Sequence, residues 1–324
     1  MVDLSICIVN WNTEAVLREC LQSVYQQTRG VTYEIFVVDN ASKDKSVEMV
    51  KDLFPKVHLI VNEQNRGFAA ANNQALGLAK GRYILFLNPD TVIHQGALET
   101  MVQFMENHSE AGAVGCKLLN DDGTVQHSIR KFPSFHVVLL ENTLLGRFPI
   151  LKRRVKDFKM EGFSFDQTEE VDSVCGAALL VRKDVLDEVG PMDEAYFMFI
   201  EELDLCRRIK GRGYKVYFTP EARITHLGGE SRNQNPEGLL LVSLKSLIRY
   251  LDKFEGPKKT SAFKLIFKPL FLLGLIHDLV FESVYLLKYR AIKKNRIKFK
   301  KEMMKVSRTF RFLRKDLAYF ILKL

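Results

Sequence analysis

The segment LSICIVNWN, residues 4–12, carries the pattern that decides the predicted fold. Its first part, Leu4–Val9, is almost continuously apolar, and the polar cluster Asn10-Trp11-Asn12 follows it. Such a run is typical of a parallel strand that is buried on both faces. Three similar runs are therefore also predicted to be strands: Glu34–Val38, Val57–Val61 and Tyr83–Leu87.

Helical patterns separate these strands. The predicted helices are Glu14–Gln27, Lys45–Phe54, Gly67–Ala79 and, after the fourth strand, Gly96–Asn107. Asn12 and Thr13 are residue types that cap a helix, and Gly81 is predicted to close the third helix. Strands and helices alternating in this order predict an α/β fold with a mostly parallel, doubly wound sheet and right-handed crossovers.

A second ordered block follows residues 130–170, whose mixed pattern assigns no element. Its predicted elements are a strand from Val171 to Val181, helices beginning at Lys183 and Glu201, strands Tyr214–Phe218 and Ala222–Thr225, and a helix Gly238–Lys253. We predict two domains: residues 1–235, which contain the sheet, and residues 236–324, a helical C-terminal region.

The composition is that of a globular chain: 324 residues, 47% hydrophobic and 27% charged, which argues against a disordered or fibrous protein. The five cysteines are odd in number and none stand at C-x-x-C spacing, which disfavours a disulfide framework and a four-cysteine zinc site. No basic segment precedes the first apolar run, so no signal peptide is predicted and a reducing, cytoplasmic location is expected.

Each of the four predicted strands is followed by polar residues. The clusters are Asn10-Trp11-Asn12, Asp39-Asn40-Ala41-Ser42, Asn65-Arg66-Gly67-Phe68 and Asn88-Pro89-Asp90-Thr91. Any one of them is explained by the preferences of turns. Because parallel sheets bind ligands outside the carboxyl ends of their strands, the four together predict one binding crevice.

The residue types in these clusters indicate a nucleotide ligand. Asp39 can accept a hydrogen bond from a base or a ribose hydroxyl, and Trp11 offers a wall for the base. Arg66, ahead of a helix N-terminus, supplies a cation for phosphate, and Gly67 permits close approach of the backbone. The sequence has neither G-x-G-x-x-G after the first strand nor G-x-x-x-x-G-K-[ST], which excludes dinucleotide-binding and P-loop folds.

Two residues are candidate metal ligands. Asp90 follows a strand where substrate phosphates and waters could complete the shell of Mg²⁺ or Mn²⁺. His226, at the end of the strand Ala222–Thr225, could be a second ligand. The alternatives are that Asp90 is a turn or capping residue and that His226 is structural.

Three carboxylates, Glu201, Glu202 and Asp204, stand on the first turn of a predicted helix, directly after the aromatic run Tyr196–Ile200. A carboxylate beside aromatic walls suits a general base, because partial desolvation raises its pKa towards the working pH. The alternative is that the acids only complement the positive end of the helix dipole.

With these residues in place, the sequence resembles glycosyltransferase family 2 with its GT-A fold, and within it the rhamnosyltransferase-like branch that builds bacterial surface polysaccharides. The resemblance covers residues 4–231 and rests on these motifs: the four strand-end clusters, Cys175-Gly176-Ala177, Gly190-Pro191-Met192-Asp193-Glu194, Glu201-Glu202-x-Asp204 and Pro220-x-Ala222-x-Ile224-x-His226. The family's D-x-D position reads Asn88-Pro89-Asp90 here, so only Asp90 can be an anionic ligand there.

The resemblance implies an inverting transfer of a sugar, with dTDP-L-rhamnose as the expected donor, to a polyprenyl-diphosphate-linked saccharide. It implies Mg²⁺ or Mn²⁺ held by Asp90 and His226, and Glu202 as the base, with Glu201 and Asp204 as rivals. The residues expected to bind the nucleotide-sugar are Asn10, Trp11, Asn12, Asp39, Asn40, Ser42, Asn65, Arg66, Gly67, Asn72, Asn88, Gly176, Ala177 and Asp193.

The C-terminal region is strongly basic. Residues 251–324 contain 19 Lys and Arg against 6 Asp and Glu, a net charge of +13, so the other 250 residues carry −4. Its apolar stretches are interrupted by charges and too short to span a bilayer. We expect an amphipathic helical region on the anionic, cytoplasmic face of the plasma membrane, the alternative being a helical appendage packed on the domain.

Two other functions fit parts of the pattern. A metal-dependent nucleotidyltransferase would use the crevice, but would want a Gly- and Lys-rich phosphate loop near the first strand, which Asn10-Trp11-Asn12-Thr13 is not. A nucleotide- or RNA-binding protein would use the basic tail, but the sequence lacks an RNA-stacking motif, so no nucleic acid partner is expected.

Overall fold

A computed structural model describes residues 2–229, 238–292 and 317–323 of the chain. Its strands are β1 (Leu4–Asn10), β2 (Tyr33–Asp39), β3 (His58–Val61), β4 (Tyr83–Leu87), β5 (Thr91–Ile93), β6 (Ala111–Leu119), β7 (Ile129–Arg130), β8 (Glu169–Val171), β9 (Ser173–Val174), β10 (Ala178–Arg182) and β11 (Lys215–His226). Its helices are α1 (Glu14–Gln27), α2 (Ser46–Leu53), α3 (Phe68–Leu76), α4 (Ala97–Asn107), α5 (Phe135–Glu141), α6 (Pro149–Phe158), α7 (Lys183–Val189), α8 (Glu201–Gly211), α9 (Leu239–Glu255), α10 (Pro257–Ile292) and α11 (Leu317–Lys323), with a 3-10 turn at Leu144–Arg147.

The chain divides into two compact units. The first comprises Met1–Phe132 and Gly162–Gln234, and the second comprises Pro133–Glu161 and Asn235–Leu324. The second unit therefore includes most of the stretch to which the sequence pattern assigned no element. The domain boundary at residues 235 and 236 stays a prediction.

The first unit is built on one mixed sheet of nine strands among the described residues. Its order is β3-β2-β1-β4-β10-β6-β11-β5, with β8 paired to β11. The pairs β1–β2, β1–β4, β2–β3 and β6–β11 are parallel, whereas β10 runs antiparallel to both of its neighbours, β4 and β6. The predicted α/β fold with a mostly parallel sheet is confirmed.

The core of this unit follows from the apolar runs. All seven residues of β1 are buried, as expected for a strand covered on both faces. Helix α1 buries Leu17, Leu21 and Val24, which recur at helical spacing on one face. This face packs with Ile6 and Leu85 of the central strands into the main apolar cluster.

Two predicted strand patterns differ from the structure. The strand predicted from Val171 to Val181 is divided into three: the end of β8, the short strand β9, and β10. Strand β9 pairs with β7 in a separate two-stranded sheet, whereas β8 and β10 belong to the main sheet. The two strands predicted at residues 214–218 and 222–225 form one strand, β11, whose register against β6 shifts between Thr219 and Arg223. Pro220 lies in this irregularity because proline has no N–H to donate to a ladder.

Thr13 occupies the predicted N-cap position of α1, but the capping contacts differ from those predicted. The side chain of Thr13 makes no capping hydrogen bond, because its hydroxyl donates to Oδ1 of Asn10 (2.6 Å). The backbone amide of Glu14 instead donates to the carboxylate of Asp44 at 2.9 Å. Gly81 does not close α3, because this helix ends at Leu76. A glycine is needed at position 81 for a different reason: a Cβ on Gly81 would lie 2.5 Å from the backbone N of Ser5.

The second unit is helical, and a row of phenylalanines packs inside it. Ring centroids lie 5.1 Å apart for Phe135 and Phe263, 5.0 Å for Phe263 and Phe267, 5.4 Å for Phe267 and Phe271, and 5.2 Å for Phe271 and Phe320. One face of α10 is thereby covered by α5 and α11. Part of the predicted basic tail therefore belongs to a packed helical unit.

None of the helices in the described ranges is long and apolar enough to cross a membrane. Of the basic C-terminal region, residues 293–316 lie outside the described residues.

Candidate active site

The polar clusters that follow β1, β2 and β4 lie at the same edge of the sheet. Parallel register places Asn10 beside Asp39, and Ile8 beside Leu87. The residues that follow these strands therefore meet at their carboxyl ends, as predicted. The side chains at this edge form three connected groups.

The first group is a buried network around Asp39. Asn10 donates from Nδ2 to Oδ2 of Asp39 (2.8 Å) and to Oγ of Ser42 (3.1 Å). The backbone amide of Ser42 donates to Oδ1 of Asp39 (2.9 Å), and that of Asn12 donates to Oγ of Ser42 (2.8 Å). Asn10 is fully buried, so its hydrogen bond fixes the orientation of the Asp39 carboxylate from the protein interior. A carboxylate has about four acceptor positions, so Asp39 can still accept from a ligand.

The second group holds the loop before α3. Nδ2 of Asn40 donates to Oδ1 of Asn65 (3.0 Å) and to the carbonyl of Gly67 (3.1 Å), while Oδ1 of Asn40 accepts from the backbone amide of Arg66 (3.1 Å). Oδ1 of Asn65 also accepts from the amide of Gly67 at 2.9 Å. The loop is therefore fixed by amide side chains, and the Arg66 side chain is exposed beyond it.

Asn72 is as buried as the predicted ligand residues Asn10, Asp39 and Asn40. It is buried in α3 and donates to the carbonyl of Phe68 at 3.0 Å, while its Oδ1 has no hydrogen-bond partner among the described residues. Trp11 and Asn12 are both half-buried at the crevice edge. Their roles in binding stay predictions.

The segment before α8 closes against the start of α3. Gly67 has φ +85°, and a Cβ there would overlap the carbonyl oxygen of Phe197, to which the amide of Phe68 donates at 2.7 Å. Asn73 adds two bonds to the backbone of Met192, at 2.8 and 3.0 Å. Phe197 and Asn73 were missed from the sequence, because only the folded chain brings these segments together.

Asp193 belongs to the same segment. It is half-buried, and its Oδ1 accepts from the amide of Ala195 at 3.1 Å. The two residues before α8, Phe199 and Ile200, have φ of +72° and +75°. Such left-handed backbone is strained for non-glycine residues and clusters at functional sites.

The third group contains the candidate metal ligands. Oδ1 of Asp90 and Nε2 of His226 lie 3.4 Å apart, and both residues are buried. Strand pairing explains the approach, because His226 of β11 lies opposite Thr91 of β5. Nδ2 of Asn88 also lies 3.3 Å from Nε2 of His226.

Gln126 assigns the tautomer of His226. Its Nε2 donates to Oδ1 of Asn120 (3.0 Å) and to the carbonyl of His226 (3.2 Å), so its Oε1 is the acceptor facing Nδ1 of His226 at 2.6 Å. Nδ1 then carries a proton, and in the neutral imidazole Nε2 is left as an acceptor that faces Asp90 and Nδ2 of Asn88. Two acceptors that face each other in this way fit a shared divalent cation. Among the described residues, no group of three or more His, Cys, Asp or Glu side chains is arranged so that it could hold a metal ion by itself.

The three carboxylates of α8 have different surroundings. Asp204 is fully buried, accepts from Nε of Arg208 (2.6 Å) and accepts from the hydroxyl of Tyr196 (3.2 Å). Glu201 is also buried, and its Oε2 has no hydrogen-bond partner among the described residues. Burial, followed by the charge of Glu202, raises the pKa of Glu201 well above its ordinary value.

Glu202 is the only half-buried member of these three acids. A Cβ on Gly176 would lie 3.5 Å from its Cβ, so the side chain crosses the glycine in van der Waals contact. Burial raises the pKa of Glu202, while the charge of Arg130 lowers it. Arg130, on β7 beside Ser173 of β9, was not predicted from the sequence.

Residues 175–177 connect Glu202 with the metal ligands. The pKa of Cys175 is raised to about 11, first by burial, then by the carboxylate of Glu202, with a smaller contribution from Asp90. The carbonyl of Ala177 accepts from the backbone amide of Asn88 at 2.9 Å. Glu202 and Asp90 therefore both act on Cys175, and Asn88, which neighbours His226, donates to the carbonyl of Ala177.

Sequence comparison relates the chain to sugar-transferring proteins. The Glycosyl transferase family 2 model matches residues 5–190. An N-acetylglucosaminyl-diphospho-decaprenol L-rhamnosyltransferase of Mycobacterium tuberculosis is 26% identical over 234 residues, 68% of this chain and 76% of the relative. Rhamnosyltransferase WbbL of Escherichia coli is 29% identical over 196 residues, 58% of this chain and 70% of the relative.

Two solved structures share the fold. The structure of GalNAc-T7 with UDP, GalNAc and Mn²⁺ has a TM-score of 0.56 at 16% identity, covering 78% of this chain and 48% of that one. The mannosyltransferase PcManGT of Pyrobaculum calidifontis, in complex with GDP-Man and Mn²⁺, has a TM-score of 0.53 at 15% identity, covering 97% and 86%. The GT-A-like character predicted for the fold is confirmed.

Proposed function

Because this chain belongs to glycosyl transferase family 2, whose model matches more than half of its residues, we propose that it transfers L-rhamnose from dTDP-L-rhamnose to a lipid-linked saccharide. That the chain is a glycosyltransferase follows from the family. The choice of rhamnose is supported by the relatives from M. tuberculosis and E. coli, both of which are rhamnosyltransferases. The lipid-linked acceptor is supported by the decaprenol-linked saccharide in the name of the first.

One structural observation carries the proposal. Glu202 contacts Gly176, the charges of Glu202 and Asp90 both act on Cys175, and Asp90 faces His226 at 3.4 Å. A sugar transfer needs these two functions at one place: neutralisation of the leaving diphosphate, and a base for the incoming hydroxyl.

Asp90 and His226 would hold Mg²⁺ or Mn²⁺, with substrate phosphates and waters as the remaining ligands. When bound, the metal supplies positive charge to the diphosphate as the bond to the sugar breaks. Mn²⁺ accompanies UDP or GDP-Man in both solved neighbours, which supports a divalent metal. Gln126 contributes by holding the proton on Nδ1 of His226.

Glu202 would act as the general base. Its carboxylate takes the proton of the acceptor hydroxyl while that oxygen attacks the anomeric carbon, and the bond from this carbon to the diphosphate oxygen breaks on the opposite face. One displacement inverts the configuration. Glu202 suits this role better than Glu201 or Asp204, because it is less buried than either and is not paired with Arg208.

The donor would lie along the ends of β1 and β2. Asp39, oriented by Asn10 and by the amide of Ser42, would accept from the base or ribose. The exposed guanidinium of Arg66 would meet the diphosphate in front of α3.

The second unit supports membrane association. Exposed apolar residues recur every three or four positions along α10, opposite its packed face: Leu265, Pro269, Leu273, Ile276 and Val280. We use the name α10 stripe for these five residues. An apolar stripe in a basic region suits an interfacial helix on anionic lipid, which would bring the enzyme to a lipid-linked acceptor at the cytoplasmic face.

The test is a transfer assay with purified protein, a panel of nucleotide-sugars, Mg²⁺ or Mn²⁺, and an N-acetylglucosaminyl-diphospho-lipid acceptor. We expect rhamnosylated lipid and release of dTDP only with dTDP-rhamnose. Thermal shift with each donor reads binding separately, since a ligand stabilises the state that binds it. Transfer from another donor would contradict the choice of rhamnose, and absence of transfer to the lipid would contradict the acceptor.

A further inference from the structure

The segment Arg147–Lys156 combines exposed apolar side chains with positive charge. It contains five basic residues and no acidic ones: Arg147, Lys152, Arg153, Arg154 and Lys156. It begins at the end of the 3-10 turn and includes most of α6. It lies more than a hundred residues before the α10 stripe in the sequence, yet in the same compact unit.

Helix α6 has one packed face. Phe158 is buried and Val155 is half-buried, and Val155 packs near Gly146, where a Cβ would lie 3.5 Å from Cγ2 of Val155. Lys152, Arg153 and Arg154 are exposed, and none of them has an acidic partner within salt-bridge distance among the described residues.

Two large apolar side chains at the start of α6 are exposed to solvent. Phe148 is 58% exposed and Ile150 is 85% exposed. Pro149 between them is the first residue of α6 and is also exposed, and proline at this position is compatible with the helix start. An exposed aromatic and an exposed aliphatic residue beside unpaired bases are characteristic of a surface that contacts membrane.

The segment is anchored to α10, so it is not a detached arm. Nη2 of Arg147 donates to both carboxylate oxygens of Asp278, at 2.6 and 2.7 Å. Leu144 of the preceding turn lies beside Gly274 of α10: a Cβ on Gly274 would be 3.9 Å from Cγ of Leu144. The exposed side chains of the segment are therefore held on the helix that carries the α10 stripe.

We propose that Phe148 and Ile150, together with Lys152, Arg153 and Arg154, form a second membrane-contact site that binds an anionic phospholipid bilayer. The bases meet lipid phosphates, and the two apolar side chains enter the boundary of the acyl chains. RNA would use the bases but leave Ile150 exposed. Binding of this site to a bilayer does not depend on the proposed function. Only its biological purpose, access to a lipid-linked acceptor, rests on the proposed function.

The test is flotation of the full-length protein with vesicles of phosphatidylcholine and phosphatidylglycerol, over a range of salt concentrations. The triple variant K152Q/R153Q/R154Q should lose about a hundredfold in binding at low salt and less at high salt. The variant F148S/I150S should lose about tenfold at every salt concentration, because apolar insertion is not screened. The matched controls K51Q and L53S change exposed residues of α2, where Leu53 is 52% exposed, and should float like the unaltered protein.

A local readout reports on the site itself. The five native cysteines are buried or half-buried, so an environment-sensitive dye can be attached selectively in the variant I150C. Its emission should shift to the blue with phosphatidylglycerol vesicles and stay unchanged with phosphatidylcholine alone. Circular dichroism and donor-induced thermal shift check that each variant is folded.

Three results would overturn the proposal: unaltered protein that does not float, F148S/I150S that floats as the unaltered protein does, or a dye that responds to RNA but not to vesicles. These results are independent of sugar transfer. Loss of flotation in the variants, with no transfer from dTDP-rhamnose by the unaltered protein, would retain the membrane site and reject the proposed reaction.

Discussion

Asp204 accepts a hydrogen bond from Arg208, one turn later in α8, with 2.6 Å between Oδ1 and Nε. The guanidinium of Arg208 in turn donates to the carbonyls of Val189, Gly190 and Pro191, at 2.6, 2.9 and 2.8 Å. The pair thus ties α8 to the loop after α7. This pairing favours a structural role for Asp204, which the sequence alone left as a rival for the catalytic base.

We expect the substitution Asp204→Asn to lower the free energy of unfolding by about 3 kcal/mol, because breaking a buried pair leaves Arg208 without its counter-charge. Urea denaturation measures this. Glu14→Gln is a matched control, because Glu14 and Arg18 have the same spacing and the same 2.6 Å distance at a more exposed, half-buried site, and it should cost about 0.5 kcal/mol or less. Equal stabilities, with loss of transfer only in Asp204→Asn, would make Asp204 the base.

Glu202→Gln should lower the rate of transfer by about 10² to 10⁴, because an amide cannot accept the proton of the acceptor hydroxyl. Donor binding, measured by thermal shift, should be unchanged. The control variant is Glu201→Gln, which changes the buried carboxylate next to Glu202 and should retain most of the transfer activity. If Glu201→Gln is inactive and Glu202→Gln is active, the two roles are reversed.

The dependence of transfer on pH should follow the surroundings of Glu202. Burial raises its pKa, and a base acts only when deprotonated, so the rate should rise with pH in a range above the ordinary glutamate value of about 4.3. The charged or titratable groups that interact with Glu202 include Glu201, Arg130, Cys175 and Cys206.

Arg130→Gln tests the origin of this dependence. Since Arg130 lowers the pKa of Glu202, its removal should move the rising limb of kcat/KM to higher pH. Arg18→Gln, on α1, serves as a control that should leave the limb in place. An unchanged limb in Arg130→Gln would mean that the titrating group is elsewhere.

Asp90→Asn and His226→Gln should each weaken binding of Mn²⁺ in the presence of dTDP, measured by calorimetry, and should lower transfer by tenfold or more, about 1.4 kcal/mol. His94→Gln is the control, because Nε2 of His94 contacts Oγ1 of Thr225 (2.9 Å), beside His226. Unchanged Mn²⁺ binding in both variants would contradict the proposed metal site.

Gly67→Ala should destabilise the protein by about 1–3 kcal/mol and weaken donor binding. The residue has φ +85° and ψ 173°, a region that is almost restricted to glycine, and a Cβ would overlap the carbonyl of Phe197. Gly123→Ala separates the two effects, since Gly123 has φ +79° but nothing within 4 Å of a Cβ. If both variants bind the donor equally well, the contact with Phe197 does not shape the donor site.

The local elements of the first unit could be predicted because their signals are local. The apolar run Leu4–Val9 is a strand, and the periodic run Glu14–Gln27 is a helix with the same bounds in the structure. The polar residues after the strands could also be placed at one edge, since the crossovers of parallel strands bring their carboxyl ends together.

Tertiary structure alone decided what surrounds each polar side chain. Burial and pairing depend on segments far apart in the chain: Gln126 assigns the tautomer of His226, Arg130 acts on Glu202, and Phe197 packs on Gly67. It also grouped Arg147–Lys156 with the C-terminal helices. The physical reason is that periodicity shows which face of an element is apolar, whereas the environment of a charge depends on the elements that pack against it.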